Sequence, residues 1–445
     1  MKIALLAPAG AMHRHSGNFG KSLHYAPLTL TTLAALVPEE LQAEIVIYDE
    51  TAGKIPLDID ADIMGITCIT GTASRCYAFA DYYRSRGVTV VLGGVHPSML
   101  PDEAQLHADV VMTGFAEQTF PQMLMDFSRG CVQPRYVQNL DYSIENRVIP
   151  RRDLLDKRKY ITMNSVEAIR GCSLPCTFCA YPTAFGRTVY KRPVQEVIRE
   201  IQMLHTDIVL FPDVNLITDK SYAIELFTAL IPLHIGWLGL ATSSIGFDED
   251  LLQVFRKSGC RGLLIGFESI CQESQSFVKK GINHVSEYTE LMKRLHNQGI
   301  LVQGCFAFGG DGEDVSVFEQ TVDMIQKAKI DLPRYAILTP FPKTQLYDQL
   351  EQQGRIIERD WAMYDVEHCV FTPEKMSKEE LEAGITWAWK ETYSLPNIAS
   401  RLFHKQNSLW LSLPVNLGYK GYAAKYEKFT REVMCDNSDI PAVGR

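Results

Sequence analysis

Arg170-Gly-Cys-Ser-Leu-Pro-Cys-Thr-Phe-Cys-Ala-Tyr-Pro182 decides the reading of this 445-residue chain, because Cys172, Cys176 and Cys179 stand there at C-x3-C-x2-C spacing. Three thiolates from one short loop can hold three irons of a cubane 4Fe-4S cluster and leave the fourth iron open to a ligand. The competing readings are three inert core cysteines and a structural zinc site. Core cysteines have no reason to fall at this spacing between an apolar stretch and a polar loop. Zinc would want a fourth Cys or His with paired spacing, and none stands nearby.

Composition bounds the rest. With 46% hydrophobic and 22% charged residues the chain reads as a well-packed globular protein, long enough for two or three domains. A formal net charge of -9 gives no basic field for nucleic-acid phosphates, so nucleic acid is not an expected partner. The 11 cysteines are scattered and odd in number, which excludes a small disulfide framework and fits a reducing cytoplasm. The opening apolar run, Met1 to Gly10, is too short and too weakly charged for a signal peptide and reads as a first buried strand. No apolar run is long enough for a transmembrane segment.

From residue 1 to 128 short apolar runs alternate with amphipathic segments, the rhythm of a doubly wound, Rossmann-like parallel sheet. Its five expected strands are Lys2 to Ala7, Glu44 to Tyr48, Ile63 to Cys68, Val88 to Leu92 and Val110 to Thr113, with helices such as Thr29 to Val37 and Thr72 to Arg86 between them. Ligands of such a sheet bind at the carboxyl ends of the strands. There the polar and glycine residues cluster: Asp49 to Lys54, Thr67 to Ala73, Gly93-Gly-Val-His-Pro97 and Gly114-Phe-Ala-Glu117. Composition alone implies a nucleotide-sized ligand.

Residues 129 to 160 contain Pro134, Pro150 and the charged run Arg151 to Lys159, and read as a solvated linker. Beyond them, in 161 to 342, the alternation resumes. Ser165 to Arg170, Asp207 to Pro212, Gly236 to Thr242, Gly262 to Gly266, Leu301 to Phe308 and Arg334 to Leu338 are expected strands of a partial β/α barrel, separated by helices such as Val194 to His205 and Ser286 to Gln298. Barrel chemistry sits at the C-terminal strand ends, and the cysteine loop follows the first of them. A mostly helical extension, 343 to 445, holds four of the five tryptophans (361, 387, 389 and 410) and could form a lid or a substrate wall. Ordinary packing is the safer expectation for each tryptophan, and for Tyr364 and His368.

These motifs resemble the cobalamin-binding branch of the radical S-adenosylmethionine (SAM) superfamily. The cysteine loop with Phe178 before its third thiol is similar to the cluster loop of that superfamily, Gly266-Phe-Glu-Ser-Ile270 to its Gly-x-Glu-Ser segment, and Phe211-Pro-Asp-Val-Asn215 to a segment of the cobalamin branch. Gly-Gly-x-His-Pro with Pro101-Asp-Glu103 and a later Gly-x-x-Glu resembles the cobalamin domain fused in front of many such enzymes. The resemblance implies a 4Fe-4S cluster on Cys172, Cys176 and Cys179. It implies SAM contacts at Phe178, Asp213, Ser243, Glu268 and Phe308. Cobalamin contacts are implied at Thr51, Thr67, Thr70, Gly71, Thr72, Gly93, Gly94, His96, Pro97, Gly114 and Glu117. In the methyl-transferring cobalamin family outside this superfamily, Asp-x-His-x-x-Gly supplies a lower axial histidine; here the loop is Asp49-Glu-Thr-Ala-Gly53, with Thr51 at the histidine offset, so a cobalamin without histidine below its cobalt is expected. For His96 a hydrogen-bonding role in the loop or at the corrin edge is preferred to ligation.

The implied activity is C-methylation of an unactivated carbon in a small or lipid-like metabolite, by way of methylcobalamin and a 5'-deoxyadenosyl radical, with electrons from a donor such as flavodoxin or ferredoxin. Ring contraction or oxidative cyclisation with the same cofactors is the alternative. Methylthio transfer to tRNA would need further cluster cysteines and a basic surface, and a catalytically dead sensor would not need three exposed oxidisable thiols.

Overall fold

The structure, a computed structural model, describes residues 1–10, 25–139, 142–402, 409–431 and 437–441. Strands β1 (Lys2–Ala7), β2 (Glu44–Asp49), β3 (Ile63–Thr67), β4 (Thr89–Gly93), β5 (Val110–Thr113) and β6 (Arg135–Val137) form a parallel sheet in the order β2-β1-β3-β4-β5-β6. Apolar side chains alternate between its faces. Ile3 and Leu5 pack beneath Leu30 and Phe120 on one side, while Ala4 and Leu6 share the other with Cys76 and Phe79. The order reverses between β1 and β3, the switch point at which open α/β sheets leave a crevice for a ligand.

The sixth strand falls inside the stretch expected to be linker: Val111 donates its amide to the Pro134 carbonyl and Gln138 to that of Thr113. The charged run is only partly solvated. Arg152, which extends from it, reaches Glu200 at 2.5 Å, and Glu200 also accepts from Arg192 at 2.7 Å. Sequence alone does not show this pairing, because its partners are 48 and 8 residues apart from Glu200 along the chain.

Five strands of the second sheet run parallel with neighbours in chain order: β9 (Ile208–Leu210), β10 (Gly236–Ala241), β11 (Cys260–Glu268), β12 (Leu301–Phe308) and β13 (Leu332–Ile337), after a short antiparallel pair, β7 (Ile169–Arg170) and β8 (Tyr190–Lys191). The expected first strand, Ser165 to Arg170, is split. Ser165 forms a parallel bridge with Leu210 on the free edge of β9, after which the chain turns away into β7. The result is an open barrel whose outer face is held by aromatic packing: Trp237 stacks on Phe227 at 4.2 Å, meets Phe211 and Phe255 edge-on, and donates its indole N–H to Ser258 at 3.0 Å.

The C-terminal extension forms helices Gln345–Gln352, Lys378–Thr392, Leu395–Leu402, Leu409–Ala423 and Tyr426–Arg431. Trp389 is buried among Tyr335, Tyr393, Tyr419, Tyr422 and Tyr426. Trp387 is exposed, Trp361 packs against His96, and the side chain of Trp410, like Cys435, lies outside the described residues. Tyr364 donates to the Glu358 carbonyl, and His368 sits between Asp365 and the Thr430 carbonyl, both in the structural roles expected. Among the described residues no helix is long and apolar enough to cross a membrane.

Arg192 and Glu200 are each 2% exposed, and removing one partner of so enclosed a pair leaves an uncompensated charge. Glu200→Ala is expected to lower stability by about 3–5 kcal/mol, read as a shift of the urea midpoint.

Candidate functional site

The cysteine loop leaves β7 through Gly171, whose φ of +102° is open to glycine at little cost; a Cβ there would stand 2.1 Å from the Thr188 carbonyl oxygen. Further along, Thr177 donates its amide to Val278 at 3.1 Å, its carbonyl accepts from Leu346 at 3.0 Å, and Arg187 donates to the Leu174 carbonyl at 2.5 Å. The loop is thus anchored on the barrel and on the C-terminal extension. Cys176 is buried, and Cys172 and Cys179 are half-buried.

Asp213 fixes the approach to the loop. Its Oδ1 accepts the amides of Ala168, at 2.8 Å, and Ile169, while Oδ2 has no hydrogen-bond partner. Burial, with Glu167 nearby, pushes its carboxyl up to about 7 against the pull of the two amides. Asp213 is among the expected SAM contacts; its hydrogen bonds go to the backbone four and three residues before Cys172.

Beside the thiols stands a charged pair that sequence reading half found. Glu268 lies at the end of β11, where the register with β12 shifts, and adopts φ +62° in the left-handed region sparsely used by non-glycine residues. There its Oε1 meets Lys280 Nζ at 2.7 Å. Burial works against the lysine's charge, but Glu268 and the sulfurs of Cys176 and Cys179 raise its pKa overall. Lys280 was missed because a Lys-Lys-Gly run gives no sign that one lysine turns inward. Burial pushes the Cys179 thiol up to about 11 and that of Cys176 upward, so the bare loop holds protons that metal binding must release.

The other expected SAM contacts are placed otherwise. Ser243 donates to Asn283 at 2.7 Å, and Asn283 in turn donates to the carbonyls of Gly266 and Phe267, a polar staple beneath Glu268. Phe308 is buried on the helix-facing side of β12 against Phe318 and Tyr335. Phe178 is partly buried against the barrel core.

Between the two sheets lies a cavity of about 1200 Å³. The β3, β4 and β5 ends contribute Thr67, Gly93, Gly94, Gly114 and Glu117, and the barrel contributes Leu210, Leu238, Leu240, Leu264, Leu301 and Leu332. Gly94 has φ +111°, and a Cβ would meet the Cys68 carbonyl at 2.7 Å, so glycine lets the end of β4 pack closely on the loop after β3. Glu117 pairs with Arg170 at 2.5 Å, and Phe115 stacks on Phe185 at 4.9 Å, which joins this wall to the cysteine region.

Six of the expected cobalamin contacts do not line this cavity. Thr70, Gly71 and Thr72 form a buried turn packed beneath the Tyr364 carbonyl. His96 is fully buried, 3.3 Å from Thr70 Oγ1, 3.0 Å from Tyr77 and 3.2 Å from Glu103; its place in a loop network is the one preferred from sequence. Pro97 is buried in the same short helix. Thr51 closes a turn on Asp49.

The donor sets fit the implied groups. Cys172, Cys176 and Cys179 act on one another electrostatically, so the three thiols stand near one another on one loop, a donor set suited to a cluster. Lys280 sets a positive charge against the negative charge such a cluster carries. The glycine-lined strand ends give a broad ligand a close backbone wall.

An open parallel barrel with a three-cysteine loop, behind a doubly wound sheet whose strand ends share its cavity, defines a cluster-bearing enzyme of two cofactor domains. Residues 166–325 match the radical SAM superfamily model and residues 33–124 that of the B12 binding domain. Bacteriochlorophyllide d C-12(1)-methyltransferase of Chlorobaculum tepidum is 29% identical over 397 residues, 86% of either chain, and the C-8(2)-methyltransferase of that organism 28% identical over 429 residues, 91% of this chain and 93% of its own. The radical SAM methyltransferase TsrM of Kitasatospora setae, solved with cobalamin and a 4Fe-4S cluster, superposes with a TM-score of 0.67 at 16% identity, over 97% of this chain and 98% of its own. The chain belongs to the cobalamin-dependent radical SAM methyltransferase family; its cofactors are a 4Fe-4S cluster, SAM and cobalamin.

Asp213→Ala orphans two buried amides and is expected to cost about 2 kcal/mol and to reduce the iron retained after anaerobic reconstitution and desalting; Asp213→Asn keeps the acceptor and should retain iron like the wild type. Because the folded-state value of about 7 lies above the ordinary carboxylate value of about 3.9, wild-type stability should fall relative to the Asn variant as pH rises between them, and the gap should then level off.

Proposed function

We propose that the chain methylates an unactivated carbon of a large, flat, apolar metabolite, a cyclic tetrapyrrole. The cavity carries this reading. The cavity, about 1200 Å³, spans both the strand ends assigned below to the corrin and a barrel side walled by leucines, and that leucine wall suits an apolar substrate. The likeness to two bacteriochlorophyllide methyltransferases over most of the chain supports the same class.

Cys172, Cys176 and Cys179 are assigned to the cluster. Beside them, the Glu268 carboxylate suits the amine or ribose hydroxyls of SAM, and the Lys280 ammonium suits its carboxylate. Thr67, Gly93, Gly94, Gly114 and Glu117 are assigned to the corrin edge. When bound, the cluster supplies the electron that cleaves SAM, and cobalamin supplies the methyl group. The protein's task is to align the partners and keep water out: leucine walls exclude it from the lumen, and Phe115, Tyr142, Phe185 and Tyr190 pack where the two sheets meet.

On this reading residues 1–128 bind cobalamin, 129–160 connect and add β6, 161–342 bind the cluster and SAM, and 343–445 close the substrate side. A flavodoxin or ferredoxin would supply electrons from a cytoplasmic pool.

Anaerobic incubation of the reconstituted enzyme with reductant, methyl-labelled SAM and bacteriochlorophyllide d is expected to give 5'-deoxyadenosine and a pigment heavier by one methylene, with the label retained. A pigment that loses hydrogen and gains no labelled carbon would assign the chain to oxidative ring closure instead.

A further inference from the structure

Along β13 the side chains alternate. Pro333, Tyr335 and Ile337 are buried, with Tyr335 packed edge-on against Trp389 and bonded to Thr392. Leu332 lines the cavity, and Arg334, two residues on, shares its face. Arg334 stands opposite Cys305 of β12, which stands opposite Gly266 of β11. It therefore sits within the barrel wall, before the strand ends that carry Glu268 and the cysteine loop.

The surroundings of this arginine are unusual. Its residue surface is exposed, and on β13 it shares a face with the cavity-lining Leu332. The groups that act on it electrostatically are Tyr419, Cys305, Tyr422 and Glu367, and it acts in turn on Tyr25. Tyr25 and Tyr419 line the cavity, as does Gln303, which donates to the Tyr419 hydroxyl at 3.0 Å. Glu367 accepts from Tyr422 at 2.6 Å and is not within ion-pair distance of the guanidinium. The Arg334 guanidinium makes no hydrogen bond or ion pair among the described residues. The two arginines that line the same cavity, Arg147 and Arg170, are both paired with Glu117 and Glu167.

A guanidinium cannot shed its charge, so one without a carboxylate in ion-pair distance is free to bind an anion. Its planar fork of N–H donors matches a carboxylate in two parallel hydrogen bonds. One arginine beside tyrosine hydroxyls and a glutamine amide suits a carboxylate, which takes the fork in two bonds and the neutral donors at its edge. We infer that Arg334 anchors a carboxylate of the substrate. This rests on the reading above that the leucine-lined lumen takes the substrate. The apolar body lies along Leu238, Leu240, Leu264 and Leu301, and the anchor sets which edge of it faces the strand ends. Arg334 is a specificity residue: it fixes which carbon is presented.

The test uses reconstituted holoenzyme, as wild type and as Arg334→Gln and Arg334→Lys, with two pairs of probes followed by fluorescence: bacteriochlorophyllide d against its methyl ester, and parinaric acid against its methyl ester. Wild type is expected to prefer the free acid by about 10–100-fold in at least one pair, with Arg334→Gln abolishing the preference and Arg334→Lys intermediate. Binding of labelled SAM should be unchanged in both variants. Thermal stability of Arg334→Gln should equal that of the wild type, since no side-chain bond of the fold is removed. Equal binding of acid and ester by wild type in both pairs would overturn the assignment, as would a preference that survives in Arg334→Gln. A loss of SAM affinity would move Arg334 to the cofactor. Discrimination with parinaric acid but no binding of either pigment would uphold Arg334 and remove the tetrapyrrole.

Discussion

One carboxylate oxygen sets up the catalytic end of this molecule. Asp213 Oδ1, in the loop after β9, takes the amides of Ala168 and Ile169, and the chain that had begun to pair with β9 at Ser165 turns away from the ladder. A barrel strand that continued would have carried the cysteines along the wall. The turn, completed at Gly171, swings them out over the open mouth, where Glu268 and Lys280 already stand. Burial opposes the charge of Asp213, so the backbone is held by a group that is itself under electrostatic tension.

Much of this was legible in the chain. Parallel strands declare themselves as short apolar runs between amphipathic stretches, and ten of the expected strands recur with boundaries shifted by at most a few residues. The cysteine spacing is equally plain, because it is set within a single loop. What escaped depends on pairing across distance. Nothing near Arg135 tells that three residues will add to a sheet edge, and nothing near Lys280 tells that its ammonium will face two thiols. The strand-end residues separate on the same ground. Thr67 and Gly93 close their strands and face the cavity, whereas Thr70 to Thr72, a few residues on, are rolled into a turn under the C-terminal extension.

The cavity is asymmetric. At its junction with the cysteine region, arginines and glutamates neutralise one another around Phe115; deeper in the barrel the wall turns to leucine, with Arg334 beside it in no ion pair among the described residues. A polar ligand finds its partners already spoken for at one end, and an apolar one finds a smooth wall toward the other. That gradient favours a long, flat molecule lying across the junction over a compact one lodged in either sheet.

The first domain is capped by the last part of the chain. Trp361 donates to Glu103 at 2.9 Å beside His96, Tyr364 lies over Gly71, and Asp439 joins Glu50 on Arg75. Synthesis proceeds from the other end, and domains fold as they emerge. The N-terminal sheet is therefore complete, with its loops uncovered, while some three hundred residues of the chain have still to leave the ribosome. During that interval the loops around Gly71, Arg75 and Glu103 stand uncovered until Trp361, Tyr364 and Asp439 have been made.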